Sequence, residues 1–288
     1  MKYIYFIILV LIFTNCKNDK RQDSRNEIQK IQQITPIIED PIQTLDADIE
    51  KLDKAISIEI KQKELIKKKD RRGEFQKLII GKKYVTNSKD YTINFNYPLL
   101  DESLNASNVN FNDFITNYYV NVAKTISEIQ ESKLLCDSIT AKNFREERFI
   151  DYKIYVVNDI LVSVLFYKEN FYSGAMHPSY TFDCFNFNLN NGAFMSYEDF
   201  FIQGSENELL AIINKKIKSE ALYSDCWELS SSDFFESKNN FVLNETYLEF
   251  YFDDCVMCPS YTGTYSIKLP LVDILIVLKK SNSYPVVI

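Results

Sequence analysis

At 288 residues, the chain can bury one large core or two small ones and still carry a tail, and 46% hydrophobic with 14% aromatic is a folding composition. Its 6 Gly and 7 Pro exclude a fibrous protein and disfavour a Gly-rich phosphate cradle. The net charge is −7, and residues 81–288 carry the excess with 17 Lys/Arg against 27 Asp/Glu, which disfavours nucleic acid and anionic lipid as partners of the body and favours cationic ones; solubility alone is the bland explanation.

In chain order, Tyr3 to Phe13 is an unbroken apolar run, too short to span a bilayer as a helix and suited to a signal-peptide core. It runs through Thr14 and Asn15 into Cys16, a loose lipobox with Phe13 and Asn15 where Leu and a small residue are usual. Residues 1–15 are therefore expected to be a lipoprotein signal, with Cys16 lipidated and the body held outside the cytoplasm, in the bacterial cell envelope. Residues 16–80 are expected to form a polar tether, with Pro36 and Pro41, and a charged stalk helix. Leu45, Ile49, Leu52, Ile56, Ile60 and Leu65 recur at helical spacing there, as either a solvated helix or a dimer seam.

The body is expected from about residue 81, as an N-terminal α+β subdomain (81–150) and a C-terminal one (151–288). Tyr91–Tyr97 alternates like a half-buried strand. Phe111, Phe114, Ile115, Tyr118, Tyr119, Val122 and Ile126 predict a helix with an apolar face, capped by Asn110 or Asn112. Residues 151–157 and 160–167 predict a hairpin turning at Asn158-Asp159, and Asn191-Gly192 predicts a tight turn after Tyr180–Leu189. Ser205-Glu-Asn-Glu208 reads as a capping box opening a helix with Leu209, Leu210, Ile213 and Ile217, before strands at 247–253 and 265–269. Strands and helices in separate blocks predict an α+β fold of antiparallel sheets with helices packed on one face, in two subdomains.

One histidine, His177, restricts the chemistry: a two-His metal site is impossible, and any Ser-His-Asp or Cys-His site must use it. Its bland role is a turn imidazole bonded to a backbone carbonyl. Cys255-Val-Met-Cys258 has dithiol spacing and is a candidate disulfide, but the carboxylates of Asp253 and Asp254 oppose a reactive thiolate. Glu146-Glu147, Glu198-Asp199 and Asp253-Asp254 are expected to be exposed charge. No phosphate loop, nucleophile elbow or basic aromatic groove is present, and no cofactor or metal is expected.

The remaining motifs form an ordered set. Phe171-Tyr-Ser-Gly-Ala-Met-His-Pro178 is followed by Phe185-Asn-Phe-Asn-Leu-Asn-Asn-Gly192, Met195-Ser-Tyr-Glu-Asp-Phe-Phe201, Cys255-Val-Met-Cys-Pro-Ser-Tyr-Thr-Gly263 and Tyr265–Ile274. Over about residues 85–275 this resembles the RsiV-like family, seen in the C-terminal domain of the lysozyme-sensing anti-sigma factor RsiV and the non-catalytic N-terminal region of the deacetylase PdaC. The chain departs from it with Gly174-Ala-Met-His177 in place of Gly-Gly-Ala-His, and with Cys255 and Cys258 in place of Tyr and a small residue. The resemblance implies a non-enzymatic binding module for a cell-wall glycan (peptidoglycan) or a basic protein such as lysozyme. Tyr172, Ser173, Gly174, Ala175, His177, Pro178, Tyr180, Pro259, Tyr261 and Gly263 would form its rim. Alternatives are an envelope enzyme, either a Cys255/Cys258 thiol oxidoreductase or a carboxylate glycan hydrolase, and a structural envelope protein joined through the 45–70 helix.

Overall fold

The computed structural model describes residues 77–136 and 142–280, all within one compact unit; the expected signal, lipidated Cys16, tether and stalk helix lie outside the described residues. Six strands form one sheet in sequence order: β1 (Ile79–Asn87), β2 (Tyr91–Leu100), β3 (Glu146–Val157), β4 (Leu161–Phe171), β5 (Ser179–Asn188) and β6 (Ala193–Met195). Three form a second sheet: β7 (Phe241–Leu243), β8 (Tyr247–Tyr251) and β9 (Ser266–Pro270). The expected α+β class with mostly antiparallel pairing is found, with one exception. β2 and β3 pair in parallel, Tyr91 opposite Glu146 and Phe95 opposite Ile150. Parallel neighbours need a crossover, and the helical segment of residues 108–134 supplies it.

That segment is three pieces rather than one helix: α1 (Asn108–Asp113), a π-helix (Phe114–Val120) and α2 (Val122–Leu134). The expected caps are displaced. Asn110 donates to the Gly192 carbonyl at 2.8 Å, while Asn112 accepts from Leu100 N–H at 2.7 Å and donates to its carbonyl at 2.8 Å. Both tie α1 to the sheet, and Asn121 caps α2 by accepting from Lys124 N–H. The β3–β4 hairpin also turns one residue later than its spacing predicts. Asn158 N–H donates to the Leu161 carbonyl, and its side chain accepts from Ile160 and Leu161.

Alternation along the strands builds the layers. Ile93, Phe95, Ile150, Ile154, Val164, Phe166 and Phe187 point to one face of the large sheet, where Phe111, Ile115, Val120 and Ile129 of the helical crossover cover them. The register shift between Ile154 and Val156 returns Val157 to the face of Ile154, and alternation turns Tyr155 to the opposite face. There Tyr155, Leu165, Tyr167, Phe182 and Cys184 meet Val242, Tyr247, Tyr251 and Tyr265 of the small sheet. The other face of the small sheet (Phe241, Leu243, Leu248, Phe250, Ile267, Leu269) packs on Leu209, Ile213 and Ile217 of α4 (Glu206–Ser219) and Phe234 of α5 (Ser231–Ser237). Each sheet thus carries helices on one face and the other sheet on its second. Full burial of each such aromatic or aliphatic side chain contributes about 1.5–3 kcal/mol.

The capping box expected at Ser205 does not form: its hydroxyl is buried 3.0 Å from the Tyr197 hydroxyl and does not cap α4. Capping boxes occur instead at Ser196 with Asp199, opening α3 (Tyr197–Phe200), and at Ser230 with Asp233, opening α5.

Candidate binding site

The loop between β4 and β5 opens with a turn in which Ala175 N–H donates to the Tyr172 carbonyl at 3.0 Å and Gly174 takes φ +82°, a conformation other residues enter at a cost. Met176 and His177 are exposed, and His177 Nδ1 lies 3.1 Å from the Pro178 carbonyl oxygen, the bland role expected of it. Ser173 Oγ accepts from Arg145 N–H at 3.4 Å. Tyr180 is not a free contact residue: its half-buried ring stacks on Tyr167 at 6.1 Å and meets Tyr265 at 6.3 Å.

In the second expected rim segment, Thr262 N–H and Oγ1 both donate to the Pro259 carbonyl, Tyr261 is exposed, and Gly263 takes φ +62° in a buried position. The expected Cys255–Cys258 pair is corrected: Cys258 bonds Cys226, and Cys255 stands outside that disulfide with φ +61°. Trp227 explains the partner. Its backbone N–H donates to the Met257 carbonyl and its indole N–H to the Val256 carbonyl, drawing Cys226 to a Cα separation of 4.2 Å from Cys258.

The two segments approach each other at their bases. Phe182 N–H donates to Asp253 at 3.3 Å, and the Tyr180 and Phe182 rings pack on Tyr265. Beyond that, Tyr172 and Gly263 line different cavities.

Tyr172 borders a groove of 340 Å³ between the helical crossover and the adjoining sheet face. Its floor is β3 and β4, where Arg148 stands opposite Asn170 and Ile150 opposite Lys168. The Arg148 guanidinium lies 4.2 Å from the Tyr172 ring centre and is ion-paired with Glu146, two residues along the same strand face. Glu146 is only 2% exposed, against the expected exposed charge. Burial raises its carboxyl above the usual range, outweighing the opposite pull of Arg148. Next to this pair, Lys168 lies 3.8 Å from the Tyr119 ring centre and 3.2 Å from Asp183, which also accepts from the Tyr119 hydroxyl at 2.8 Å. Burial, then the Asp183 charge, pushes the Tyr119 phenol well up, so it remains a neutral donor. Tyr118 is 76% exposed at the rim. Helical spacing assigned Tyr118 and Tyr119 to the core; Tyr119 does pack there on Phe166 and Phe185 while its edge lines the groove, but Tyr118 stands exposed at the rim. Arg148 and Lys168, interrupting apolar strands, were the signal in the sequence for this site.

A cleft of 360 Å³ beside Phe182 carries Asp183, Asp233, Glu236 and Asp253. Burial, and then the Asp183 charge, raises the Asp253 carboxyl. Among the described residues no cluster of His, Cys, Asp and Glu is placed to hold a metal, and no helix is long and apolar enough to cross a membrane.

Residues 198–271 match the family described as "Protein of unknown function (DUF3298)". This DUF3298 segment supplies the small sheet, α4, α5 and the disulfide, whereas the Tyr172 groove lies outside it. The chain is 24% identical over 191 residues to the peptidoglycan-N-acetylmuramic acid deacetylase PdaC of Bacillus subtilis (strain 168), an alignment covering 64% of this chain and 38% of PdaC. It thus spans well under half of that relative. A crystal structure of a DUF3298 member from Bacteroides fragilis aligns with a TM-score of 0.50 at 16% identity, covering 70% of this chain and 92% of that one. A second, from Pseudomonas aeruginosa PAO1, aligns with a TM-score of 0.48 at 13% identity, covering 70% and 93%. The first of these likenesses supports the α+β fold.

Proposed function

We propose that this chain is a lipid-anchored extracytoplasmic binding protein whose Tyr172 groove holds a cell-wall glycan. The observation that carries it is the paired arrangement of Arg148 on Tyr172 and Lys168 on Tyr119 along one groove. Sugar rings offer C–H faces to aromatic rings and hydroxyls to amides and cations, and muramyl units add carboxylates. Tyr118, Tyr172 and Asn170 supply the first two kinds of contact, and Arg148 with Lys168 the third. Similarity to an enzyme named for peptidoglycan supports the ligand class. The single histidine leaves few routes to histidine-dependent catalysis, which favours a binding role. Cosedimentation with purified peptidoglycan tests it: the native chain pellets, and Tyr118→Ala with Tyr172→Ala reduces the bound fraction at least tenfold. Equal retention of both proteins would end the glycan assignment. Loss of a lipid-labelled band in Cys16→Ala tests the anchor.

A second partner, a basic protein such as lysozyme, is supported by the acidic cleft of Asp183, Asp233, Glu236 and Asp253 and by the net charge of −7. Pull-down with lysozyme at low and high salt examines this, and absence of capture at low salt removes it.

A further inference from the structure

The large sheet ends on β1, the longest sheet-terminal strand among the described residues: 9 residues, against 3 for β6 at the other end and 3 and 5 for β7 and β9 at the ends of the small sheet. Proteins ordinarily keep edges short, because an edge strand offers unpaired N–H and C=O groups to any extended chain. β1 pairs with β2 in one unbroken register, from Ile79 opposite Leu100 to Asn87 opposite Thr92. Just beyond its two ends, Ser88 N–H donates to the Tyr91 carbonyl at 2.8 Å and Asp101 N–H to the Leu78 carbonyl at 2.9 Å. Antiparallel bonding alternates, so the even-numbered residues of β1 bond to β2, and the exposed Gly81, Lys83, Val85 and Asn87 aim their backbone groups at the open edge. Pro98, which has no N–H, stands opposite Gly81, where the β1–β2 ladder needs none. The edge is also cationic. Residues 77–89 hold Lys77, Lys82, Lys83 and Lys89, all exposed, and no carboxylate, in a chain of net charge −7. Lys82 faces Tyr97 and Lys83 faces Asn96 on β2, a strand without a charged residue. At physiological ionic strength charges beyond about 8 Å are largely screened, so an incoming strand meets the sign of the edge and not that of the whole chain.

We propose that β1 is a docking edge for an acidic, extended peptide segment of a partner protein, which adds to the large sheet as a further strand. Main-chain bonds to Gly81, Lys83, Val85 and Asn87 supply the pairing, and carboxylates reaching Lys82 and Lys83 choose the partner. The exposed Ile80 and Val85 give its apolar side chains something to cover. The same lysines argue against a second copy of this chain as occupant, because two β1 strands laid side by side would bring like charges together. The edge shares no residue with the Tyr172 groove, so each assignment stands or falls alone.

The test is fluorescence anisotropy of the purified full-length chain with a labelled peptide of alternating glutamate and valine, matched in length to β1. Saturable binding is expected, at least tenfold tighter than that of the same peptide with glutamine for glutamate, and weaker at high salt. Lys82→Gln with Lys83→Gln, both surface changes, should weaken it at least tenfold. Val85→Pro keeps the charge and the β1–β2 ladder but deletes one outward N–H, and should weaken binding about fivefold. A peptide N-methylated on alternate amides keeps every carboxylate and should bind at least tenfold more weakly, a loss that charge attraction alone would not give. Tyr172→Ala should leave binding unchanged. Absence of binding, equal binding of the glutamine peptide, indifference to the lysine changes or to Val85→Pro, full binding of the N-methylated peptide, or weakening by Tyr172→Ala would each overturn the proposal. Self-association of the full-length chain that Val85→Pro abolishes would assign the edge to a second copy and overturn it as well.

Discussion

Asp253 sits where β8 leaves the small sheet, accepting from Phe182 N–H with Asp183 nearby. Because burial and that neighbour raise its carboxyl above the ordinary 3.8, the folded chain holds this proton to higher pH than the unfolded chain does. Stability from this group therefore falls as pH rises through about 4 and upward, the reverse of a salt-bridged aspartate. Asp253→Asn keeps an acceptor and loses the charge, so its melting temperature should gain on the native protein between pH 4 and 6; parallel curves would refute the assignment. Gly192 is a second residue-scale determinant. It takes φ +65°, and an added Cβ would stand 2.6 Å from Ser107 Cβ. Gly192→Ala should cost about 1–3 kcal/mol in urea denaturation. Gly174→Ala, at φ +82° with open space around it, should cost only the roughly 1 kcal/mol of the left-handed backbone.

Among elements, the Cys226–Cys258 bond closes a loop with a sequence separation of 32 that encloses α5, β7 and β8. Chain entropy of that loop is worth about 3–4 kcal/mol. Cys226→Ser, or reduction of the native chain, should lower stability by that order, whereas Cys255→Ser should leave the Cys226–Cys258 link intact. Peptide mapping without reductant should recover the Cys226–Cys258 link, and a Cys255–Cys258 link would contradict the structure. The π-helix is the other element with a specific consequence. It ends at Asn121, whose backbone at φ 18° and ψ 72° leaves the helical region, and α2 restarts there under its own cap. That break leaves the floor of Arg148, Lys168 and Asn170 open as the groove rather than roofed by one continuous helix.

For the whole molecule, the decisive interface is the meeting of the two sheets. Tyr155 and Tyr251 share a buried hydroxyl–hydroxyl bond across it, and burial raises both phenols so that neither ionises. Tyr251→Phe alone should cost about 1–2 kcal/mol because Tyr155 loses this partner, while Tyr155→Phe with Tyr251→Phe should cost less than the two single changes added. Strict additivity in a double-mutant cycle would mean the bond contributes nothing. Features that depend on near neighbours were legible along the chain. Period-two runs placed β2 and β5, apolar runs on either side of the Asn158-Asp159 turn signal placed β3 and β4, the Asn191-Gly192 turn stood where Gly was required, and the separation of strand and helix blocks determined the α+β class. Tertiary structure alone decided what depends on distant ones. The parallel β2–β3 pairing, the choice of Cys226 over Cys255, the burial of Glu146 and the placing of Arg148 against Tyr172 all join residues whose approach is set by the packing of whole layers. No local periodicity encodes that approach, because it costs chain entropy that only the assembled cores offset.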